Sequence, residues 1–130
     1  MPVHYRIDGD VLTIEPVGAH SSSDLREAWL AAEADPAYPK PVSKLRICVD
    51  ARGSESLVRK SVSDMRANID WFSARAAASS RIIAFVTKPG VQYGLVRMMA
   101  AWIDFKGYKP YVTTDPLEAM EWLKAQDTRT

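Results

Sequence analysis

Apolar and polar positions alternate with period two in some stretches of the chain and recur every three to four residues in others, and the two patterns take turns. Val3-His4-Tyr5-Arg6-Ile7 alternates, Asp8-Gly9-Asp10 offers a turn, and Val11-Leu12-Thr13-Ile14 resumes the alternation. An Asp-Gly pair between alternating runs predicts a hairpin, because Gly9 can take the positive φ of a tight turn. Pro16 and Gly18 end the second run. In the next segment Ser21, Ser22, Ser23 and Asp24 offer N-cap oxygens, while Leu25, Ala28, Trp29 and Ala32 recur at helical spacing. With Asp24 as the cap, Glu27 stands at the capping-box position. The three prolines of residues 35–41 then forbid continuation of the helix.

Residues 44–50 alternate Leu45, Ile47 and Val49 with Arg46, Cys48 and Asp50, which predicts a third strand. A polar loop through Arg52, Gly53, Ser54, Glu55 and Ser56 leads to a helix near Ser61. Val62, Met65, Ile69, Phe72 and Ala76 line one face of it, and Trp71 falls off that stripe. Residues 81–87 are almost continuously apolar, as expected of a central strand covered on both faces. Pro89 and Gly90 break that run before a helix over residues 91–105, whose polar strip (Tyr93, Arg97, Asp104) is narrow. Gly107 ends it, and residues 108–113 read as a short fifth strand. Asp115-Pro116-Leu117-Glu118 opens a last helix with a cap, a proline in the first turn and a capping-box carboxylate.

The order β-β-α-β-α-β-α-β-α implies right-handed crossovers and one α/β domain. Its sheet is expected to be five-stranded, mixed and mostly parallel, with the N-terminal hairpin supplying the antiparallel edge. The domain is expected over residues 1–125, with residues 126–130 a fraying tail.

Composition narrows the function. The chain has 130 residues, 47% hydrophobic and 25% charged, with 17 basic against 16 acidic side chains. That length suits one domain, which buries about two-thirds of the unfolded surface without disulfides or metal. A net charge of +1 gives no support to a nucleic-acid partner. One Cys and two His are too few for a structural zinc site, and Cys48 reads as a small buried hydrophobe. No basic segment followed by an apolar run opens the chain, and no stretch reaches the roughly 18 uncharged apolar residues of a membrane span. A cytoplasmic protein is expected.

No nucleophile motif, Walker loop, Rossmann glycine fingerprint or zincin motif is present, and His4 and His20 read as surface histidines. The expectation is a non-enzyme with no catalytic residue, no metal and no cofactor. The candidate chemistry lies at the carboxyl ends of the parallel strands, where α/β sheets tend to hold ligands. Asp50, Arg52, Ser54 and Ser56 follow the third strand, Thr87 and Lys88 follow the fourth, and Thr114 and Asp115 follow the fifth. Arg52 and Lys88, with backbone N–H groups, are placed to hold a phosphate or carboxylate. A second lead is aromatic. Trp71, Tyr93 and Arg97 are offered as an interaction face, and the broad apolar circumference of the 91–105 helix, with Trp102 and Phe105, suggests a homodimer or a lipid-like cavity.

Three stretches carry a resemblance. They are Gly9-Asp10-Val11-Leu12-Thr13-Ile14 with the helix after it, Arg46-Ile47-Cys48-Val49-Asp50-Ala51-Arg52-Gly53, and Ile82-Ile83-Ala84-Phe85-Val86 through Met98-Met99 to Glu118-Ala119-Met120-Glu121-Trp122-Leu123. In this order and spacing the sequence resembles the small SpoIIAA-like proteins, related to STAS and Sec14-type domains. The resemblance implies a small α/β sandwich with helices mainly on one side, and a non-enzymatic regulator or ligand carrier. In anti-sigma-factor antagonists a serine after the central strand is phosphorylated. The matching loop here offers Ser54 and Ser56 as candidates and lacks the Asp-Ser-Ser-Gly signature of the regulated serine.

Two functions are therefore expected. The first is a regulatory or protein-interaction module, with a protein partner or a second copy of the chain. The alternative is a binder of a small anionic or amphipathic, lipid-like ligand at the carboxyl edge of the sheet.

Overall fold

Two strands, β1 (Val3–Asp8) and β2 (Val11–Pro16), pair antiparallel with Asp8 opposite Val11, so the turn is the two residues Gly9 and Asp10. Gly9 has φ 60, the left-handed value for which glycine suits this turn. The structure is a computed structural model that describes residues 2–126, apart from the Val58 side chain. Four helices and three further strands follow in the expected alternation: α1 (Ser22–Glu33), β3 (Arg46–Asp50), α2 (Val62–Arg75), β4 (Ile82–Val86), α3 (Val91–Phe105), β5 (Lys109–Thr113) and α4 (Pro116–Ala125). The sheet runs β1-β2-β3-β4-β5 and is parallel from β2 onward. The mixed five-stranded α/β domain is thus as expected.

The strands bury both faces unequally. Leu12, Ile14, Ile47, Ile83 and Phe85 point to one side, where they form the main core with α1, α2 and α3. Their neighbours in sequence point the other way. There Val11, Cys48, Ile82, Ala84 and Val86 meet Ala119 and Leu123 of α4 alone. Every residue of β4 is consequently buried, which explains its unbroken apolar run. Cys48 is buried as expected, and burial pushes its thiol pKa up to about 11. Three helices against one makes the third layer thin, and Ala84 and Ala119 are both fully buried within it.

The caps differ from expectation in two places. Ser21, not Asp24, is the N-cap of α1: its Oγ accepts from the Asp24 backbone N, and the Asp24 carboxylate accepts from the Ser21 N. The capping box is therefore present three residues earlier, with Asp24 as its carboxylate. At α4, Asp115 caps as expected, but Glu118 is bonded to the Tyr111 hydroxyl instead of reaching back to the cap. At the other end of α4, Arg46 donates to the carbonyls of Leu123 at 2.7 Å and Gln126 at 2.8 Å, a cation on the negative end of the helix dipole. Gln126, expected in the fraying tail, also accepts from Lys109 Nζ at 2.6 Å. Residues 127–130 lie outside the described residues.

α2 matches its expected face only in part. Met65, Ile69 and Ala76 are buried, but Val62 is 53% exposed on the first turn and Asn68 is buried in its stead. The helix lies closer to α3 than to any strand. That stand-off from the sheet shapes the site.

Candidate functional site

Beneath α2, between the helix layer and the sheet, lies a cavity of about 140 Å³. Its floor is Ile47, Val49, Ile83 and Phe85, and its roof is Trp29 from α1, Ile69 and Phe72 from α2, and Val96 and Met99 from α3. Interiors normally pack without such voids, because unfilled space forfeits dispersion contacts. Here α2 is held across the space from both sides. Arg75 pairs with Glu33 at 2.7 Å, and Glu33 also accepts from the Trp29 Nε1 at 3.0 Å, which ties α2 to α1. Lys106 pairs with Asp70 at 2.6 Å, and Arg66 lies 5.5 Å over the Trp102 ring, which ties α2 to the end of α3. Each exposed tie is worth little alone. Together they hold the roof in register over the apolar floor.

The carboxyl end of the cavity is closed by two loops that are bonded to each other. Gly18 N donates to Gly53 O at 2.7 Å, and Glu55 N donates to Gly18 O at 2.9 Å. His20 N donates to Ser56 Oγ at 2.8 Å, and His20 Nε2 lies 2.7 Å from Ser54 Oγ, which also accepts from Leu57 N at 3.2 Å. His20 is thus no surface histidine. It is half-buried and lines the cavity, and burial, together with the Lys60 ammonium, holds its pKa below the ordinary 6.5. Gln92 braces the same end from α3, accepting from Lys88 N at 2.7 Å and donating to Ala51 O at 2.8 Å.

Few polar groups reach the cavity, and most of them are already engaged. Tyr108 donates its hydroxyl to Ser73 O at 2.9 Å, Ser54 is held as above, and Lys60 Nζ lies 3.4 Å from Ser22 Oγ. His20 Nδ1 is one exception, buried without a hydrogen-bond partner at the loop end. Asn68 is the other: it lines the cavity from α2, is 7% exposed, and its Oδ1 is buried without a hydrogen-bond partner. Nothing in the apolar periodicity singled it out as functional. The available signal was a carboxamide three residues after Met65 and four before Phe72, on the stripe that should be apolar throughout.

The residues proposed from the sequence are placed as follows. Asp50 and Arg52 pair with each other: Nε donates to Oδ1 at 3.0 Å and Nη2 to Oδ2 at 2.8 Å. Burial alone would raise the Asp50 pKa, but the hydrogen bonds and charge of Arg52 outweigh it and hold the carboxyl below its ordinary value. Asp50 shares the Cys48 side of the sheet, opposite the cavity. The Arg52 guanidinium is therefore engaged with a carboxylate on the other face, while Lys88 is exposed. Ser54 and Ser56 are brought together at the cavity's closed end, and Ser54 is 5% exposed.

The interaction face is not assembled as one patch. Trp71 packs edge-on against Phe72 and lies under Arg26 and Arg75 at the α1–α2 seam. Tyr93 accepts from Arg97 at 3.1 Å and lines a shallow recess with Val112 and Thr114 beside β5. Trp102 is half-buried against the core and Phe105 is 94% exposed. Among the described residues, no group of three or more His, Cys, Asp or Glu is arranged to hold a metal, and no helix is long and apolar enough to cross a membrane.

The chain matches no protein-family model and no curated protein. Among solved structures it is similar to an uncharacterized protein from the DUF3478 family of Shewanella loihica PV-4, described as having a SpoIIAA-like fold. The TM-score is 0.59 over 93% of this chain and 91% of that one, at 15% identity. That likeness meets the expectation raised by the sequence: the chain has a SpoIIAA-like fold.

Proposed function

We propose that the protein binds a small, largely apolar molecule in the cavity between its sheet and α1–α3. The observation that carries this reading is the cavity itself, about 140 Å³ with almost wholly apolar walls. A dry cavity of roughly 150 Å³ lined by aliphatic and aromatic side chains takes up benzene or xenon. The space therefore suits a compact molecule of that scale, not an extended acyl chain. One end of it lies beneath the loop after β3, while Asp50 and Arg52, from which a ligand site was expected, face the other side of the sheet. The polar groups near it are few, so the ligand is chiefly apolar and not chiefly anionic.

A signalling role in the cytoplasm, through a protein partner or a second copy of the chain, draws less support. Ser54 is buried, both its contacts hold the loop together, and the Ser56 hydroxyl is engaged by His20 N. A kinase would meet these hydroxyls only after that segment opened.

Thermal unfolding in the presence of toluene tests the binding reading. Toluene at a hundred times its Kd should stabilise the folded state by about 2.7 kcal/mol and raise Tm accordingly. Native mass spectrometry of the purified protein supplies the complementary reading. A retained small mass supports the binder, and a clean dimer without added mass supports the interaction module. No shift with toluene and no retained mass would remove the binding reading.

A further inference from the structure

We propose that the cavity is selective for a compact apolar molecule carrying one hydroxyl group, which Asn68 receives. This rests on the reading that the cavity binds a ligand at all, and adds the chemistry of the ligand. Asn68 is 7% exposed, and a buried carboxamide oxygen without a partner is costly, since its hydration is lost with nothing in exchange. A purely structural residue at this point of α2 would be leucine or methionine, which fill space and leave nothing unpaired. The amide favours an occupant that brings the missing partner.

The neighbouring groups do not supply that partner. Tyr108 is bonded to Ser73 O, and Ser54 to His20 and Leu57 N. Water is a poor substitute, because a buried water needs two to four polar partners and the walls are almost wholly apolar. A hydroxyl attached to an apolar body is better served. It donates to Oδ1 or accepts from Nδ2, so it answers either end of the carboxamide, while its body fills the space that Phe72, Val96 and Phe85 surround. A carboxylate fits less well, since the walls are almost wholly apolar and Lys60 is the one Lys or Arg among the lining residues. A compact aromatic alcohol of the phenol class is the chemistry that matches size, wall and handle together.

Phenol and toluene have nearly the same shape and differ at the hydroxyl, so the pair isolates this claim. Both are titrated by calorimetry into the wild type and into Asn68→Leu, and the ratio of their Kd values is compared. A hydroxyl buried without a partner is heavily penalised, so toluene should win wherever no partner exists. The wild type is expected to bind phenol at least as tightly as toluene, and Asn68→Leu to shift the ratio toward toluene by roughly tenfold or more. Should the variant fold poorly, the side-chain amide resonances of Asn68 in the wild type report directly, moving with phenol and much less with toluene. An unchanged ratio, or amide resonances indifferent to phenol, overturns the selectivity while toluene binding leaves the cavity reading standing. Binding of neither probe overturns both.

Discussion

His20 Nε2 lies 2.7 Å from Ser54 Oγ, a bond that joins the start of α1 to the loop after β3 across 34 residues of sequence. The same Ser54 oxygen accepts from Leu57 N at 3.2 Å, so one buried hydroxyl holds a loop to itself and to its neighbour. Ser54→Ala removes both bonds and leaves the Leu57 N–H unpaired in a buried place. The expected loss is about 1–3 kcal/mol, read as a lower urea midpoint with an unchanged slope. Ser56→Ala, which removes a single acceptor from His20 N, should cost about 0.5–1.5 kcal/mol. Equal effects of the two substitutions would deny Ser54 its central place.

The same histidine makes the closed end sensitive to acid. Burial, then the Lys60 charge, lowers its pKa, and the Ser21 backbone and the Asp24 carboxylate offset this only in part. The unfolded chain takes up a proton near the ordinary 6.5, whereas the folded protein resists until a lower pH. The unfolded state therefore binds more protons in that window, and stability rises with pH across it. The contribution is complete above 6.5 and is lost as pH falls from there toward the folded value. Chemical unfolding measured between about pH 7.5 and pH 5.5 should show this loss in the wild type and a flatter profile in His20→Gln. Parallel profiles for the two proteins would show that His20 does not titrate differently on folding.

The order of elements was legible because each rests on a local rule: the Asp-Gly turn, the serine cap at Ser61, the unbroken apolar run of β4, the proline after Asp115. The site was not, because it depends on distances between elements. Periodicity marks Ile69 and Phe72 as inward-facing, but it carries no measure of how far α2 stands from Ile83 and Phe85. Arg52 and Lys88 follow neighbouring strands and invite an anion between them. Yet Arg52 turns back on Asp50 two residues earlier, on the opposite face from the cavity, which a list of loop residues cannot reveal. His20 reads as a surface residue in the sequence for the same reason, since its burial comes from a loop 34 residues away.

Arg46 is a polar residue opening a buried strand, and its partners explain it. Two charged hydrogen bonds, at 2.7 Å to Leu123 O and 2.8 Å to Gln126 O, satisfy carbonyls that the end of α4 leaves free. Arg46→Met keeps much of the stem's packing and deletes the cap, and should cost about 1.5–3 kcal/mol. Lys109→Met removes an exposed contact to the Gln126 side chain and a cation–π contact 5.9 Å over the Trp122 ring, and should cost about 1 kcal/mol or less. Hydrogen exchange locates the effect: amides of α4 should open sooner in Arg46→Met while those of β2 and β3 keep their protection. Uniform loss of protection throughout the sheet would mean that the cap serves the whole fold, not its last helix.

The two faces of the sheet should respond oppositely to added volume. Val96 is 1% exposed on α3 and borders the cavity, so Val96→Leu extends a methylene into space with room for it and also improves helix propensity. A gain of about 0.5–1.5 kcal/mol is expected. Ala84 is fully buried on the other face, packed with Ala119 and Leu123 of α4. Ala84→Leu must displace that helix and should cost about 1–3 kcal/mol or more. Val96→Phe fills more of the cavity and should abolish the toluene-induced rise in Tm while the protein stays folded. Thermal unfolding of the three variants, with and without toluene, checks all of these at once. A destabilised Val96→Leu beside a tolerated Ala84→Leu would reverse the assignment of loose and tight faces, and with it the ground for a ligand beneath α2.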